Sequence, residues 1–297
     1  MKDFRFHVAS LVAVFLALGV GIFIGYSISL ELRIDPFKTQ VAAVAKRNAV
    51  VMDENKTLLE NNRELQSTGA RLQAEVSQLA DLAVVGRLSN RTAALVCVGS
   101  SPSNATIDLI WKALTLAGAT RGTETVIYGS LIPPSTRIAA EILPRVHAAP
   151  DDDPAIAIGQ SIAASIASGD DPTLPEALNH RGFPVDCSGT YGKRPDLVVL
   201  LSQVDSDERH KALERGTTVE TTMVHAFQDS HLRVVACESG SDPESGASYF
   251  QRLGVGCVDN VDSPEGRVAL VYAGLGYAQH YGTRQGADSL LPGVPRP

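Results

Sequence analysis

The sequence predicts an α/β protein, with a parallel, doubly wound-like sheet domain preceded by one transmembrane helix and a long coiled-coil helix. Three observations predict it. An uncharged apolar run occupies Val8 to Leu30, a heptad repeat occupies Val41 to Ala83, and after Gly86 short apolar runs alternate with helical stretches. Strands that are apolar throughout and interleaved with helices imply a parallel sheet covered on both faces. The chain accordingly divides into a cytoplasmic start and membrane helix over 1–35, a stalk over 36–85 and an extracytoplasmic domain over 86–297.

About 20 apolar residues cross a bilayer as a helix, whereas the core of a signal peptide runs roughly 7 to 15. The run from Val8 to Leu30 exceeds both. Retention is therefore expected over cleavage, although Ser27 and Ser29 form a weak small-x-small site. Lys2 and Arg5 precede the run and Arg33 and Lys38 follow it, so the positive-inside count is even. The short basic start and the long chain beyond favour an amino end in the cytoplasm and everything after Leu30 outside. Within the run Ala9, Ala13, Ala17, Gly21, Gly25 and Ser29 recur every fourth position. Small residues at that spacing let two helix backbones approach closely in lipid. Each four-residue step drifts about 40° around the helix, so all six cannot face one partner. Gly21 and Gly25 form the expected centre of a contact. The glycines lie inside an apolar span and not between a strand and a helix, which excludes a dinucleotide loop.

In the stalk Val44, Val51, Leu58, Leu65, Leu72 and Leu79 stand seven apart, and Val41, Asn48, Asn55, Asn62, Gly69 and Val76 precede them by three. These are the d and a positions of a coiled coil. Three consecutive Asn at position a cost stability but pair across a parallel two-stranded seam and penalise other registers. The alternative, a lone amphipathic helix with exposed Asn, is disfavoured because isolated polar-rich helices are marginal in water. The g and e sites carry no complementary charge pairs, so a parallel homodimer is the simplest expectation. Its seam comprises Asn48, Asn55 and Asn62 with Leu58, Leu65 and Leu72, continued in the membrane by Gly21 and Gly25. A straight stalk would hold the next domain roughly 60 Å from the bilayer at 1.5 Å per residue.

In the domain "RTAALVCVG" reads as a buried strand, "SNATIDLIWKALTLAGA" as a helix capped by Ser103 or Asn104 and stopped by Gly118, and "ETVIYG" as a second strand. A second series follows. "RPDLVVLLS" is a strand, Asp205 to Arg215 a polar helical stretch, a further helix runs through Val224, and "LRVVACES" is a strand. Then come a helix in "PESGASYFQRLG", a short strand at "GCVDNVD" and a helix from Pro264 to about Tyr281. The segment between the two series reads as helical with long Pro- and Gly-rich joins. Its runs Asp151 to Asp153 and Asp170 to Asp171 precede helical segments, where carboxylates suit the positive helix end. The tail from Gly282 has little pattern, and disorder is expected at its last residues.

These segments resemble, in order and over nearly the whole chain, the MctB family. The resemblance is carried by "FRFHVASLVAVFLALGVGIFIG", the heptads, "RTAALV" and most specifically "VDNVDSPEGRVALVYAGLGYAQHYGTRQGADSLLP". It implies a bacterial envelope protein with a role in copper export or tolerance, and relatives connected with envelope assembly through their coiled coils. It carries over no catalytic motif.

The residues themselves support copper weakly. Copper(I) prefers thiolate and thioether ligands, and imidazole also suits copper(II). The chain has three Met and four Cys, with no CxxC and no Met-rich tract. Met223 and His225 on one strand face, or His225 near His231, come closest to a ligand group, and a chance arrangement is the simpler reading. No cofactor is established, and copper rests on the resemblance alone. Cys97, Cys187, Cys237 and Cys257 read as small core residues, with one bridge, such as Cys187 to Cys257, as the alternative.

Two candidate ligand or partner surfaces lie at strand ends. Ser100, Ser101 and Ser103 follow the first strand and could cradle an anion at a helix start, while ordinary loop chemistry is the simpler reading. Asp259, Asn260 and Asp262 precede the last helix, where Ser263 or Asp262 could cap it with Pro264 in its first turn. His280 and Tyr281 are expected to cap that helix's far end. No Walker lysine, G-x-S-x-G elbow or H-E-x-x-H occurs, so a non-enzymatic protein is expected. The net charge of -7, without a basic patch, argues against nucleic-acid binding. The expected partners are the membrane, a second copy and, as the alternative to copper, another envelope protein.

Overall fold

The computed structural model describes residues 3–99, 103–149, 152–169, 171–203, 217–240, 246–277 and 279–293. They fall into two compact units, Met1–Gln73 and Ala74–Pro297.

The first unit is helical. α1 spans Asp3–Val84, 82 residues, and passes through Pro36 without ending. Its apolar stretch Phe6–Ile28, mean hydropathy 2.6, is the one helix among the described residues long and apolar enough to cross a membrane. Further along, Val44, Val51, Leu58, Leu65 and Leu72 are all exposed.

The second unit is built on a seven-stranded sheet in the order β3-β2-β1-β4-β5-β6-β7. β1 (Thr92–Gly99) leads through α2 (Asn104–Leu116) to β2 (Thr120–Ile127). α3 (Thr136–Ile142), α4 (Pro154–Ser168) and α5 (Leu174–His180) then lead to β3 (Val185–Gly189), antiparallel to β2. The chain crosses back to β4 (Leu197–Gln203), and α6 (Val219–Asp229), β5 (Arg233–Cys237), α7 (Ala247–Arg252), β6 (Gly256–Val258), α8 (Pro264–Leu275) and β7 (His280–Tyr281) complete it. Every pairing but β2 with β3 is parallel. The expected parallel, doubly wound arrangement is therefore present, with an antiparallel edge added.

The central strands alternate between two cores. Ala93, Leu95 and Cys97 of β1 join Leu197, Val199 and Leu201 of β4 in the core that α2, α8 and Val84 cover. Ala94, Val96, Val198 and Leu200 face the other way, toward α4, α5 and α6. Burial on both faces explains why these strands read as continuous apolar runs. Val84 is 2% exposed and Ala80 8%, whereas Leu79 is 65% exposed, so the domain packs on one face of the end of α1 and leaves its d position open. Lys112 Nζ meets Asp81 at 3.0 Å on the same side.

Caps fall largely where the sequence places them. Asp153 Oδ1 accepts from Ala155 N at 2.9 Å with Pro154 in the first turn of α4, and Gly118 follows α2 at φ 84°. Ser103 occupies the N-cap of α2 without a side-chain bond. Asp171 does not cap. It makes a two-pronged pair with Arg145, Nε to Oδ2 2.9 Å and Nη2 to Oδ1 2.7 Å, which holds its carboxyl below the usual range.

Three expectations are corrected. The last helix does not reach Tyr281: it ends at Leu275, and Gly276, at φ 122°, lets His280–Tyr281 turn back as β7. Met223 and His225 share no strand face, for both lie on α6, where two residues' separation turns about 200°: Met223 is buried and His225 exposed. Cys187 and Cys257 cannot bridge, because β3 and β6 stand five strand spacings apart, on the order of 24 Å. The polar stretch Asp205 to Arg215, and the chain's last four residues, lie outside the described residues.

Candidate functional site

In a doubly wound sheet, ligands bind beyond the carboxyl ends of the strands, where the strand order reverses. Here that point lies between β1 and β4. A β-carbon on Gly99 would meet Gln203 O at 2.4 Å, so glycine allows the two strand ends to close together. Ser103 is exposed beyond this point, and Ser100 and Ser101 lie outside the described residues.

The other candidates, Asp259, Asn260 and Asp262, stand beyond β6, three strand spacings or roughly 14 Å from β1. They are not brought to Ser103. They gather instead with residues from the ends of β5 and β7. Asp259, 1% exposed, accepts from Thr283 N and Arg284 N, both at 3.0 Å. Asp262 accepts from Ser239 Oγ at 2.7 Å and Gly240 N at 2.8 Å. Arg284 Nη2 donates to Gly240 O at 2.9 Å and Ser239 O at 3.2 Å. Glu238, fully buried, takes Gly246 N on both carboxylate oxygens at 2.8 and 2.9 Å. Arg267 Nη1 reaches Asp262 O at 3.2 Å.

This cluster ties the ends of β5, β6 and β7 to the start of α8. Its three carboxylates are met by backbone amides and a hydroxyl, and two guanidiniums lie among them, which makes burial of the charges tolerable. Ser263, as one of the two expected caps, accepts from Gly266 N at 2.9 Å with Pro264 in the first turn. Gly266 is required there: a β-carbon would stand 1.9 Å from Asn260 O. Asn260 Oδ1 and His280 Nδ1 are buried without a hydrogen-bond partner among the described residues. His280 does not cap α8. It is enclosed in β7 and its backbone N donates to Asp288 Oδ2 at 3.0 Å. Burial pushes its imidazole below the usual histidine value, against the pull of Asp288 and Asp259.

The opposite end of the sheet, where β1, β4 and β5 begin, holds a polar cleft of about 610 Å³ lined by Arg91, Asp196, His231, Leu232 and Arg233. Of these residues sequence reading singled out only His231, for its nearness to His225. The available signal was a charged residue at or just before the start of β1, β4 and β5. Arg91 Nη1 and Arg233 Nη1 each donate to Gly274 O at 3.3 Å, which caps the negative end of α8. Asp196 Oδ2 accepts from Thr92 N at 2.7 Å.

The cysteines do not assemble a metal site. None of the four forms a disulfide. Cys97 and Cys237 share one row of the sheet, but Leu201 of β4 stands between them. That puts them about 10 Å apart. Burial pushes the Cys97 thiol far up, and Cys187, half-buried at the edge, is raised by burial and then by Glu176 and Asp186. Among the described residues no group of three or more His, Cys, Asp or Glu could hold a metal ion.

A helix of membrane-crossing length and composition, joined in one chain to a doubly wound α/β domain, fits the class of proteins held to a membrane by a single helix. The family described as "copper transport outer membrane protein, MctB" matches residues 1–292, and the chain belongs to it. Comparison with curated proteins gave no match.

Proposed function

We propose that this chain is a single-pass envelope protein acting in copper export or tolerance, with its amino end in the cytoplasm and its α/β domain outside. Membership of the MctB family over residues 1–292 supports the reading. Copper is the cargo in this reading; Cys97, Cys237, Cys257 and Met223 lie apart in the two cores, and Cys187 stands at the sheet edge. The test is copper(I) binding by the full chain in detergent under reducing conditions, together with the copper sensitivity of cells lacking it. Stoichiometric binding lost on replacing particular Cys, Met or His residues supports the reading. Unchanged sensitivity and unchanged cellular copper on deletion sink it.

A second reading rests on the exposed apolar row of α1. The domain packs against Ala80 and Val84 but leaves Leu79 open, in line with the exposed Leu58, Leu65 and Leu72. An apolar stripe of this length in water calls for a partner helix. In this reading α1 pairs two copies in parallel and the dimer recruits another envelope protein, without copper chemistry. Crosslinking in cells decides it: capture of the homodimer alone removes the recruited partner, and a monomeric mass in solution removes the dimer.

A further inference from the structure

The heptad register of the stalk continues into the membrane. Counting back by sevens from Val44 reaches Phe37, Leu30, Phe23 and Leu16, each large and apolar. All four lie in the same unbroken α1, with no residue inserted or skipped that would shift the phase. Pro36, within the helix, takes position c, away from the seam.

Surface shape points to the same face. α1 carries a notch of about 500 Å³ lined by Val12, Phe15, Leu16, Gly19, Val20 and Phe23. In the stalk's register Val20 is a, Leu16 and Phe23 are d, Val12 and Gly19 are g, and Phe15, at c, forms the outer rim. Nothing lies within 4 Å of where a Gly19 side chain would stand, as is also true at Gly21 and Gly25, so it is the notch and the register that single out this face. Gly21 and Gly25 fall at b and f. At 100° per residue Gly25 lies about 140° from Val20 and about 160° from Phe23, on the far side of the helix.

We infer that a second copy of this chain fills the notch, so that the membrane helices pack through Leu16, Gly19, Val20 and Phe23 in the register of the stalk. The inference rests on the parallel dimer of the second reading above. It replaces the Gly21 and Gly25 contact with one left-handed seam running from membrane to domain, the crossing hand of heptad packing and not of a glycine-centred pair.

The test is disulfide formation on iodine oxidation in membranes holding the full chain, with Cys187→Ser removing the one thiol outside the cores. Leu58→Cys reads the stalk, Leu16→Cys and Phe23→Cys read the proposed face, and Gly21→Cys and Gly25→Cys read the opposite one. Bridging needs β-carbons within about 4.5 Å, which a seam position meets and an outer position does not. The expected result is a crosslinked dimer from Leu58→Cys, Leu16→Cys and Phe23→Cys and its loss at Gly21→Cys and Gly25→Cys. If Leu58→Cys crosslinks but the membrane positions stay monomeric, or bridge only through Gly21 and Gly25, the shared register is overturned and the stalk dimer stands. If Leu58→Cys stays monomeric, the dimer itself fails and the inference with it.

Discussion

Gly282 and Asp259 occupy adjoining space: a β-carbon on Gly282 would stand 1.8 Å from Asp259 Oδ1. Gly282 also sits at φ 147°, which an L side chain rarely adopts. The Asp259 carboxylate can therefore reach the amides of the next two residues.

Gly282→Ala is expected to lower the stability of the domain by about 3 kcal/mol. Denaturant unfolding of the full chain in detergent measures it. In an Asp259→Ala background the same change costs less, because the carboxylate it would strike has gone and only the backbone strain remains. Equal costs in both backgrounds would show that the contact is not what excludes the side chain.

Titration of His280 gives the fold a pH dependence of known sign. Its folded pKa is depressed below the ordinary 6.5, chiefly by burial, so the unfolded chain takes up the proton first. Its contribution is fully present above pH 6.5 and falls away as pH drops from there toward the folded value. Melting temperatures taken between pH 8 and 5 should decline through about 6.5 in the native chain and decline less in His280→Gln.

Thiol reactivity should follow burial. Cys187 is the one cysteine not enclosed in a core, so a maleimide is expected to label it first, slowly because its thiolate is disfavoured. Cys97, Cys237 and Cys257 should label only after unfolding. Mass spectrometry of the partly labelled chain reads the order, and early labelling of Cys97 would contradict its place in β1.

If α1 pairs two copies in parallel, replacing both Asn55 and Asn62 by Ile should raise the melting temperature of the stalk while keeping it two-stranded, since Ile at a with Leu at d favours two strands and polar a positions trade stability for register. Thermal unfolding in detergent, with the mass followed by analytical ultracentrifugation, measures the change. An unaltered melting temperature would mean that these Asn face water and specify nothing.

What was legible in the sequence was what hydrophobic pattern encodes. β1 and β4 are buried on both faces and read as apolar runs, and α1 reads from its heptads. β3 reads poorly because it is an edge: Val185 is buried, but Asp186, Ser188 and Gly189 are exposed. β2 begins with the exposed Thr120 and Arg121, so only its second half looks like a strand. β7 is two residues long, too short for any period, and its neighbours from Gly282 onward are held by backbone amides on Asp259 and by Gly282 N on Ser289 O at 3.0 Å. Contacts of that kind use no side chain of the segment from Gly282 onward and leave no trace in its composition. The motif around Asp259 and Asp262 was visible as a motif, but that its carboxylates serve their own loops depends on Ser239, Gly240 and Arg284, which are distant in sequence.

The two margins of the sheet have a consequence for crowding. One ends in the five-residue antiparallel β3 and the other in the two-residue β7, bridged in turn by Ser289. Neither offers a long bare ladder of amides and carbonyls to a neighbouring chain. An anchor confines molecules to a plane and raises the rate at which their domains collide, a setting in which exposed strands recruit one another into aggregates. Short, blunted margins let such domains meet repeatedly without fusing.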